Sequence, residues 1–311
     1  MKYDPRIAQL RFLAAFSVAL YHLWTLQIIP SPLFRPGWLG VPLFFEISIF
    51  LLLNQLDDNP SLSHYFKRRI WRIWPLYFSA VVVVFLADRY VLGIEPSLAD
   101  LFLHFVFLSF VLAPFSFQYL FWSLQLEEWM YLFIPLVHRL SDKGKLKVAV
   151  GLIFTTLVYS LIITQLPYNE FHLLYFMPPF WLGAYGWGII AYIMKKSNTR
   201  LPSPLPYIAV VYAAYVAVAV VVHDERLYEL WTRFVLYNVA LVSFVMLIVE
   251  PPRVLHKTTV FLGEVSYGIY LWTLLFQELL GLAGIAAGIL AAIATEFPLR
   301  KKEIIKRLSR A

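Results

Sequence analysis

The segment from Ile208 to Val222 reads IAVVYAAYVAVAVVV and contains no charged residue. A strand of a membrane barrel alternates apolar and polar residues over about ten positions, whereas this run is apolar on every face. Lipid offers the backbone no hydrogen-bond partner, so an uninterrupted apolar run of this kind predicts a helix that satisfies its own backbone. The sequence therefore predicts an all-α fold, a polytopic bundle of membrane helices.

Composition supports the same class. With 60% hydrophobic and 14% charged residues and a mean hydropathy of +0.70, the 311-residue chain has too few polar side chains to cover a soluble globule. The net charge of +7 arises from 26 basic and 19 acidic residues. The basic residues cluster between apolar runs, which predicts contact with a lipid bilayer and not with nucleic acid. Because the chain has no cysteine, disulfides, thiolate metal sites and a cysteine nucleophile are excluded.

Apolar runs of about 17–25 residues predict about ten transmembrane helices in a single domain that covers residues 1–311. The predicted spans are 7–29, 37–55, 73–92, 119–138, 148–166, 172–193, 206–222, 229–249, 258–279 and 282–297. Residues 97–116 are apolar but short and interrupted by proline, which predicts a re-entrant or interfacial segment. Basic residues in alternate loops and in a short tail, 298–311, predict that both termini are cytoplasmic and that the chain lies in the plasma (inner) membrane.

Arg11 and His22 are ionisable residues within the first predicted span, where each charge is costly. Eleven residues of helix bring the two side chains within about 20° of one face and about 16 Å apart along the axis. A histidine can take and return a proton near neutral pH, which makes His22 a candidate general base. The alternative is structural: Arg11 reaches lipid phosphates and His22 is a hydrogen-bonded core residue.

A second group of polar residues is Trp122, Ser123, Glu127 and Tyr131. The last three recur every fourth residue and share one helical face. A buried carboxylate needs a cation or a proton, so Glu127 is a candidate for catalysis. The alternative is an interhelical hydrogen bond with a purely structural role.

The stretch from Lys67 to Pro75 reads KRRIWRIWP and lies next to a predicted span. Arg68 and Arg72 share a helical face, and guanidinium groups bind phosphates with two parallel hydrogen bonds. This pattern is typical of a site for a phosphorylated, nucleotide-like donor, although ordinary anchoring of a cytoplasmic loop explains the charges equally well. The scattered histidines and the absence of known metal motifs predict no metal site.

Several ordered motifs resemble those of the membrane acyltransferase-3 family, whose members O-acylate glycans outside the cytoplasm. Arg11 and His22 fit an Arg-x10-His pattern on the first helix. The other matching segments are GVPLFFEISIFL (40–51), RRIWRIWPLY (68–77), WSLQLEEWMYLFIP (122–135), LGEVSYGIYLW (262–272) and EFP (296–298). The sequence departs from the family at Ile49, where glycine is usual, and at Thr273, where many members have histidine.

The resemblance implies a donor, an acceptor and a set of site residues. The donor is an acyl-CoA, with acetyl-CoA the expected one, and its phosphates are expected to bind Arg68, Arg69 and Arg72. His22 is then the general base for a hydroxyl of an extracytoplasmic glycan or glycolipid, while Glu127 orients the imidazole or the acceptor and Arg11 lines the donor route. Substrate contacts are expected from Ser48, Trp122, Ser123 and Tyr131. The competing hypothesis is a non-catalytic transporter or lipid-binding scaffold, and the oligomeric state stays open.

Overall fold

The structure, a computed structural model, describes residues 3–112, 121–166, 170, 174–254 and 256–309. Every regular element of these residues is helical, and none is a β-strand. The α-helices are α1 (Pro5–Thr25), α2 (Gly40–Asp58), α3 (Leu62–Tyr90), α4 (Leu98–Phe105), α5 (Ser109–Leu112), α6 (Phe121–His138), α7 (Asp142–Ile163), α8 (Pro178–Lys196), α9 (Leu205–Val221), α10 (Glu225–Glu229), α11 (Tyr237–Val249), α12 (Lys257–Glu264), α13 (Ser266–Leu280) and α14 (Gly284–Leu308). Other helical windings occur at Pro32–Leu39 and Gly281–Ala283, which are 3-10, and at Leu230–Leu236, which is π.

The helix starts follow from local sequence. The side chain of Asp4 accepts a hydrogen bond from the backbone of Arg6, and Pro5 occupies the first turn of α1, where its missing N–H costs nothing. Ser97 and Asp100 form a reciprocal capping box at the start of α4. These caps fix where the chain enters each helix.

Within the described residues, six helical segments are long and apolar enough to cross a bilayer, so the chain is an integral membrane protein built of helices. The six are Pro5–Thr25, Pro32–Asp58, Leu62–Tyr90, Asp142–Ile163, Arg226–Val249 and Ser266–Leu308. The last includes α13 and α14, which are separated by Gly281 with φ at 61°. The predicted number of ten crossings stays a prediction.

The predicted re-entrant or interfacial segment 97–116 contains the short helices α4 and α5. They have eight and four residues and meet near Phe107, whose φ is 57°. Helices of this length cannot cross 30 Å of hydrocarbon at about 1.5 Å per residue. Positions 113–116 of the predicted segment, and the starts of the predicted spans 119–138 and 172–193, lie outside the described residues.

The structure adds detail to two predicted segments near the C-terminal end. The predicted span 258–279 is divided at Val265, because the backbone carbonyl of Glu264 accepts a hydrogen bond from Arg300 at 2.5 Å. The predicted tail, 298–311, is helical as far as Leu308, because α14 continues through Pro298. Proline removes one helical hydrogen bond. Ion pairs of Arg300 and Arg307 with other helices hold the turns that follow it in place.

Close helix contacts depend on small residues. A Cβ atom at Gly263 would lie 1.8 Å from the carbonyl oxygen of Ala8, so α12 can approach α1 only with glycine there. A Cβ at Gly188 of α8 would lie 3.0 Å from the Cβ of Ile49. The departure from the family at Ile49 is thus accommodated by the space that Gly188 leaves.

We expect Gly263→Ala to lower the melting temperature of the purified protein, because the methyl group must push α12 away from α1. Overpacking of this kind costs about 1–3 kcal/mol. The matched control is Gly151→Ala on α7, where a Cβ meets no atom within 4 Å. Alanine is preferred over glycine inside a helix by about 0.5–1 kcal/mol, so the control should melt at the same or a slightly higher temperature. Equal melting temperatures for both variants would contradict the close contact.

Candidate functional site

A cavity of about 450 Å³ lies between α1, α2, α3, α6, α13 and α14. It reaches the surface at the exposed residues Asn59 and His64 and extends inward along α2 as far as Val41. Eight of the residues that the sequence singled out line it: Arg11, Ser48, Arg68, Arg69, Arg72, Ser123, Glu127 and Tyr131. The fold therefore gathers on one cavity side chains from four different helices.

The arginines of the cavity differ in their partners. Arg68 forms an ion pair with Glu303 of α14 at 2.8 Å. Arg69 donates a hydrogen bond to the amide oxygen of Gln55 at 3.2 Å and lies over the ring of Tyr131. Of the ion pairs that the described residues form, none includes Arg11 or Arg72. The cavity wall thus carries positive charge that is available to an anion.

Glu127 provides the carboxyl group of the inner wall. It is 9% exposed, the hydroxyl groups of Ser48 and Tyr131 face it, and the charges of Arg11 and Arg69 act on it. Its Oε1 atom has no hydrogen-bond partner among the described residues. A buried carboxylate oxygen without a partner is costly, so it is a natural acceptor for a bound donor group.

Ser123 lies one helical turn from Glu127. Its hydroxyl is 2.6 Å from the hydroxyl of Tyr270, which also lines the cavity. Sequence reasoning missed Tyr270, although it lies within the segment LGEVSYGIYLW. It also missed Gln55, which is seven residues from Ser48 and therefore on the same face of α2. That helical spacing was the signal that could have found it.

His22 does not line the cavity. Its side chain is 4% exposed, and its ring meets the ring of Tyr21 edge-on at 5.7 Å between centroids. The inner end of the cavity lies near Gly40, which packs against Ala14 and Ser17 of α1. His22 follows Ser17 by five positions, which corresponds to about 8 Å along the axis of α1.

Trp122 also lies outside the cavity lining. Its ring is 4.7 Å from that of Trp181 and 5.3 Å from that of Phe176. It is 6% exposed and belongs to an aromatic cluster of the bundle core. The predicted contact between Trp122 and substrate stays a prediction, and the cavity geometry gives it no support.

A cluster of ion pairs closes one side of the cavity mouth. Arg300 pairs with Glu296 at 2.7 Å and with Glu264 at 3.0 Å, and Arg307 pairs with Glu264 at 2.8 Å. The hydroxyl of Tyr3 donates to Glu264 at 2.9 Å. Burial and the adjacent Glu264 carboxylate raise the pKa of Tyr3, which keeps its hydroxyl a donor at neutral pH. The sequence treated residues 298–311 as a separate tail and did not anticipate this cluster.

Comparison with known proteins identifies the family. The family model described as an acyltransferase domain, that of acyltransferase family 3, matches residues 4–298, and the chain belongs to this family. The resemblance inferred from the motifs is confirmed. Together with the similar proteins below, it makes the chain a membrane-embedded O-acyltransferase.

Three similar proteins illustrate the relationship. ORF330 of Acidianus two-tailed virus, named provisionally as an acetyltransferase, is 61% identical over 307 residues, which are 98% of this chain and 93% of that protein. A provisionally named O-acetyltransferase of Staphylococcus aureus is 26% identical over 88% of this chain and 50% of its own length. The peptidoglycan O-acetyltransferase OatA of Listeria monocytogenes is 29% identical over 52% of this chain and 29% of that protein. The chain thus spans half or less of the two bacterial relatives, and no solved structure matches it.

Proposed function

We propose that the chain transfers an acetyl group from cytoplasmic acetyl-CoA to a hydroxyl of a glycan or glycolipid on the other side of the membrane. The observation that carries this proposal is the cavity with Arg11 and Arg72 on its wall, neither of which forms an ion pair among the described residues. Residues 1–311 form one membrane domain in this proposal, and both termini are cytoplasmic. The basic segments at 67–72 and 300–307 support that orientation, because Lys and Arg concentrate on the cytoplasmic side.

The donor enters at the cavity mouth. Its phosphates bind Arg72 and Arg69, with Arg68 as a further partner, because guanidinium groups form short, charge-assisted hydrogen bonds to phosphate. The volume of about 450 Å³ lies within the range typical of small-molecule sites. The thiol arm of the donor then extends along α1 past Arg11 and carries the thioester toward His22.

The chemical step needs one base. The neutral imidazole of His22 takes the proton from the acceptor hydroxyl while its oxygen attacks the thioester carbonyl carbon. A C–O bond forms, the C–S bond breaks, and the imidazolium returns the proton to the departing CoA thiolate. Direct transfer of this kind needs no cysteine nucleophile, and the chain has no cysteine.

Glu127 was expected to orient either the imidazole or the acceptor, and a contact with the donor is a third possible role. Its neighbours Ser48, Tyr131, Arg11 and Arg69 favour a substrate contact. In this proposal the carboxyl group and the two hydroxyls hold the polar arm of the donor in the inner half of the cavity. Ser123 and Tyr270 lie beside that arm.

The donor site predicts unequal effects for two arginines. Arg72→Gln removes a cation without a described ion pair and should weaken CoA binding by about tenfold to a hundredfold, the range for a charge-assisted hydrogen bond. Arg68→Gln should have a smaller effect, since Arg68 is already paired with Glu303 and its side chain is 37% exposed. Calorimetry of both variants with CoA measures the difference. Unchanged affinity in folded Arg72→Gln would remove this arginine from the donor site.

Substitution of His22 distinguishes a catalyst from a transporter or scaffold. His22→Ala should lower acetyl transfer by about 10²–10⁴-fold, the usual contribution of a general base, while CoA affinity stays within twofold of the unmodified protein. Transfer is measured with labelled acetyl-CoA and a surface-glycan extract from cells that carry the chain. The histidine control is His104→Ala, because His104 is similarly buried but lies outside the cavity, against Ser109 and Phe121.

The control should lose thermal stability and keep its transfer rate. If His22→Ala instead behaves like this control, with a stability loss of about 1–3 kcal/mol and unimpaired transfer, His22 is a structural residue. The proposed mechanism would then be wrong. Absence of any transfer by the unmodified protein would favour the non-catalytic alternative.

A further inference from the structure

Two irregular helical segments meet beside the half of α1 that contains His22. One is the 3-10 helix Pro32–Leu39, and the other is the π-helix Leu230–Leu236. The 3-10 segment packs tightly on α1, since a Cβ at Gly37 would lie 2.1 Å from the carbonyl oxygen of Ser17. Irregular backbone at membrane depth is tolerated where protein or a polar site surrounds it, and π-helical turns are frequent at functional sites.

The 3-10 segment supplies Arg35. Its guanidinium group lies 4.6 Å from the ring centre of Trp24 and 4.4 Å from that of Tyr228, so two aromatic faces enclose it. One nitrogen donates to the carbonyl of Ala219 at 3.2 Å, while the buried Nε has no hydrogen-bond partner in the described part of the chain. No ion pair among the described side chains includes Arg35. The aromatic faces hold the cation and leave its edge free for a ligand.

The π-helix supplies Arg233 in a similar setting. Its guanidinium group lies 4.1 Å from the ring centre of Trp38 and 4.6 Å from that of Tyr175, and it donates to the Tyr175 hydroxyl at 3.0 Å. Its Nε lies 3.3 Å from a carboxylate oxygen of Glu229. Arg233 also interacts with Tyr21, the residue next to His22. The two arginines thus form one patch that adjoins the proposed base.

The charge of this patch indicates the ligand. Arg233 pairs with the carboxylate of Glu229, whereas Arg35 forms no ion pair among the described side chains and lies in a partly buried, aromatic setting. Holding an unpaired cation in such a place is costly unless a ligand supplies the anion. Aromatic rings with polar edges, such as those of Trp24 and Tyr228, suit a sugar that has apolar C–H faces and polar hydroxyls.

We propose that this arginine–aromatic patch is the acceptor subsite and that it binds a sugar residue with an acidic group. The acid pairs with Arg35, the sugar ring lies beside Trp24 and Tyr228, whose faces hold the guanidinium group, and Arg233 orients the hydroxyl that points to His22. This inference rests on the proposed function for the direction of transfer. Sugar binding itself is independent of the donor cavity and can be measured without acetyl-CoA.

The test uses the full chain in nanodiscs of phosphatidylcholine, a lipid without net charge. Calorimetry measures the affinity for tetragalacturonate, an acidic oligosaccharide, and for maltotetraose, a neutral one of equal length. We expect the acidic probe to bind at least tenfold more tightly, and Arg35→Gln to weaken it by about tenfold to a hundredfold. The matched control is Arg89→Gln, which removes an exposed arginine over the ring of Tyr90 at the far end of α3. That control should bind the acidic probe like the unmodified protein.

CoA affinity, measured on the same samples, separates the two proposals. If CoA binds normally but the acidic and neutral probes bind equally, or if Arg35→Gln and Arg89→Gln behave alike, the acceptor subsite is wrong and the donor site is unaffected. The same titration is repeated with the protein in nanodiscs that contain an anionic lipid. If that lipid binds at Arg35 more tightly than either sugar does, the patch is a lipid site and the proposal is likewise wrong. Should Arg35→Gln fail to fold, Tyr228→Leu removes one of the enclosing rings and is expected to weaken the acidic probe severalfold.

Discussion

Arg300 carries a positive charge into a part of the bundle where its side chain is 6% exposed, and the paired carboxylates of Glu264 and Glu296 are each 1% exposed. Buried charges of this kind are stable only when partners and hydrogen bonds replace the lost water. The ion pairs of Arg300 connect α12 to α14. The helix is interrupted at Val265, because the backbone carbonyl of Glu264 accepts a hydrogen bond from Arg300. The requirement for partners also fixes the end of α14 against the cavity mouth, where Glu303 meets Arg68.

The charged residues around the cavity are of two kinds. Glu264, Glu296 and Glu303 are occupied by arginines of α14 or by Arg68, and these pairs hold helices together. Arg11 and Arg72 face the cavity without a described ion pair. Placing such a cation within the membrane costs about 2.5–3.5 kcal/mol on insertion scales, and no described ion pair offsets that cost. The proposed binding of an anionic donor would account for their presence.

Apolar runs were sufficient to predict a helical membrane protein, and motif order was sufficient to predict the family and ten site residues, eight of which line the cavity. Helix periodicity gives the angle and depth of a side chain on its own helix, but not which neighbour it meets. For this reason the sequence could not show that Trp122 packs against Trp181 or that His22 does not line the cavity with Glu127. Nor could it reveal the pairing of Arg300 with Glu264, which are 36 residues apart on different helices.

The central claim is that donor and acceptor react from opposite sides of one membrane. Proteoliposomes that contain labelled acetyl-CoA only in the lumen, with a surface-glycan extract only outside, test it most directly. The account predicts labelled glycan outside, lost with His22→Ala, while free acetyl-CoA stays in the lumen. Label on the glycan only when donor and acceptor are supplied on the same side would contradict it.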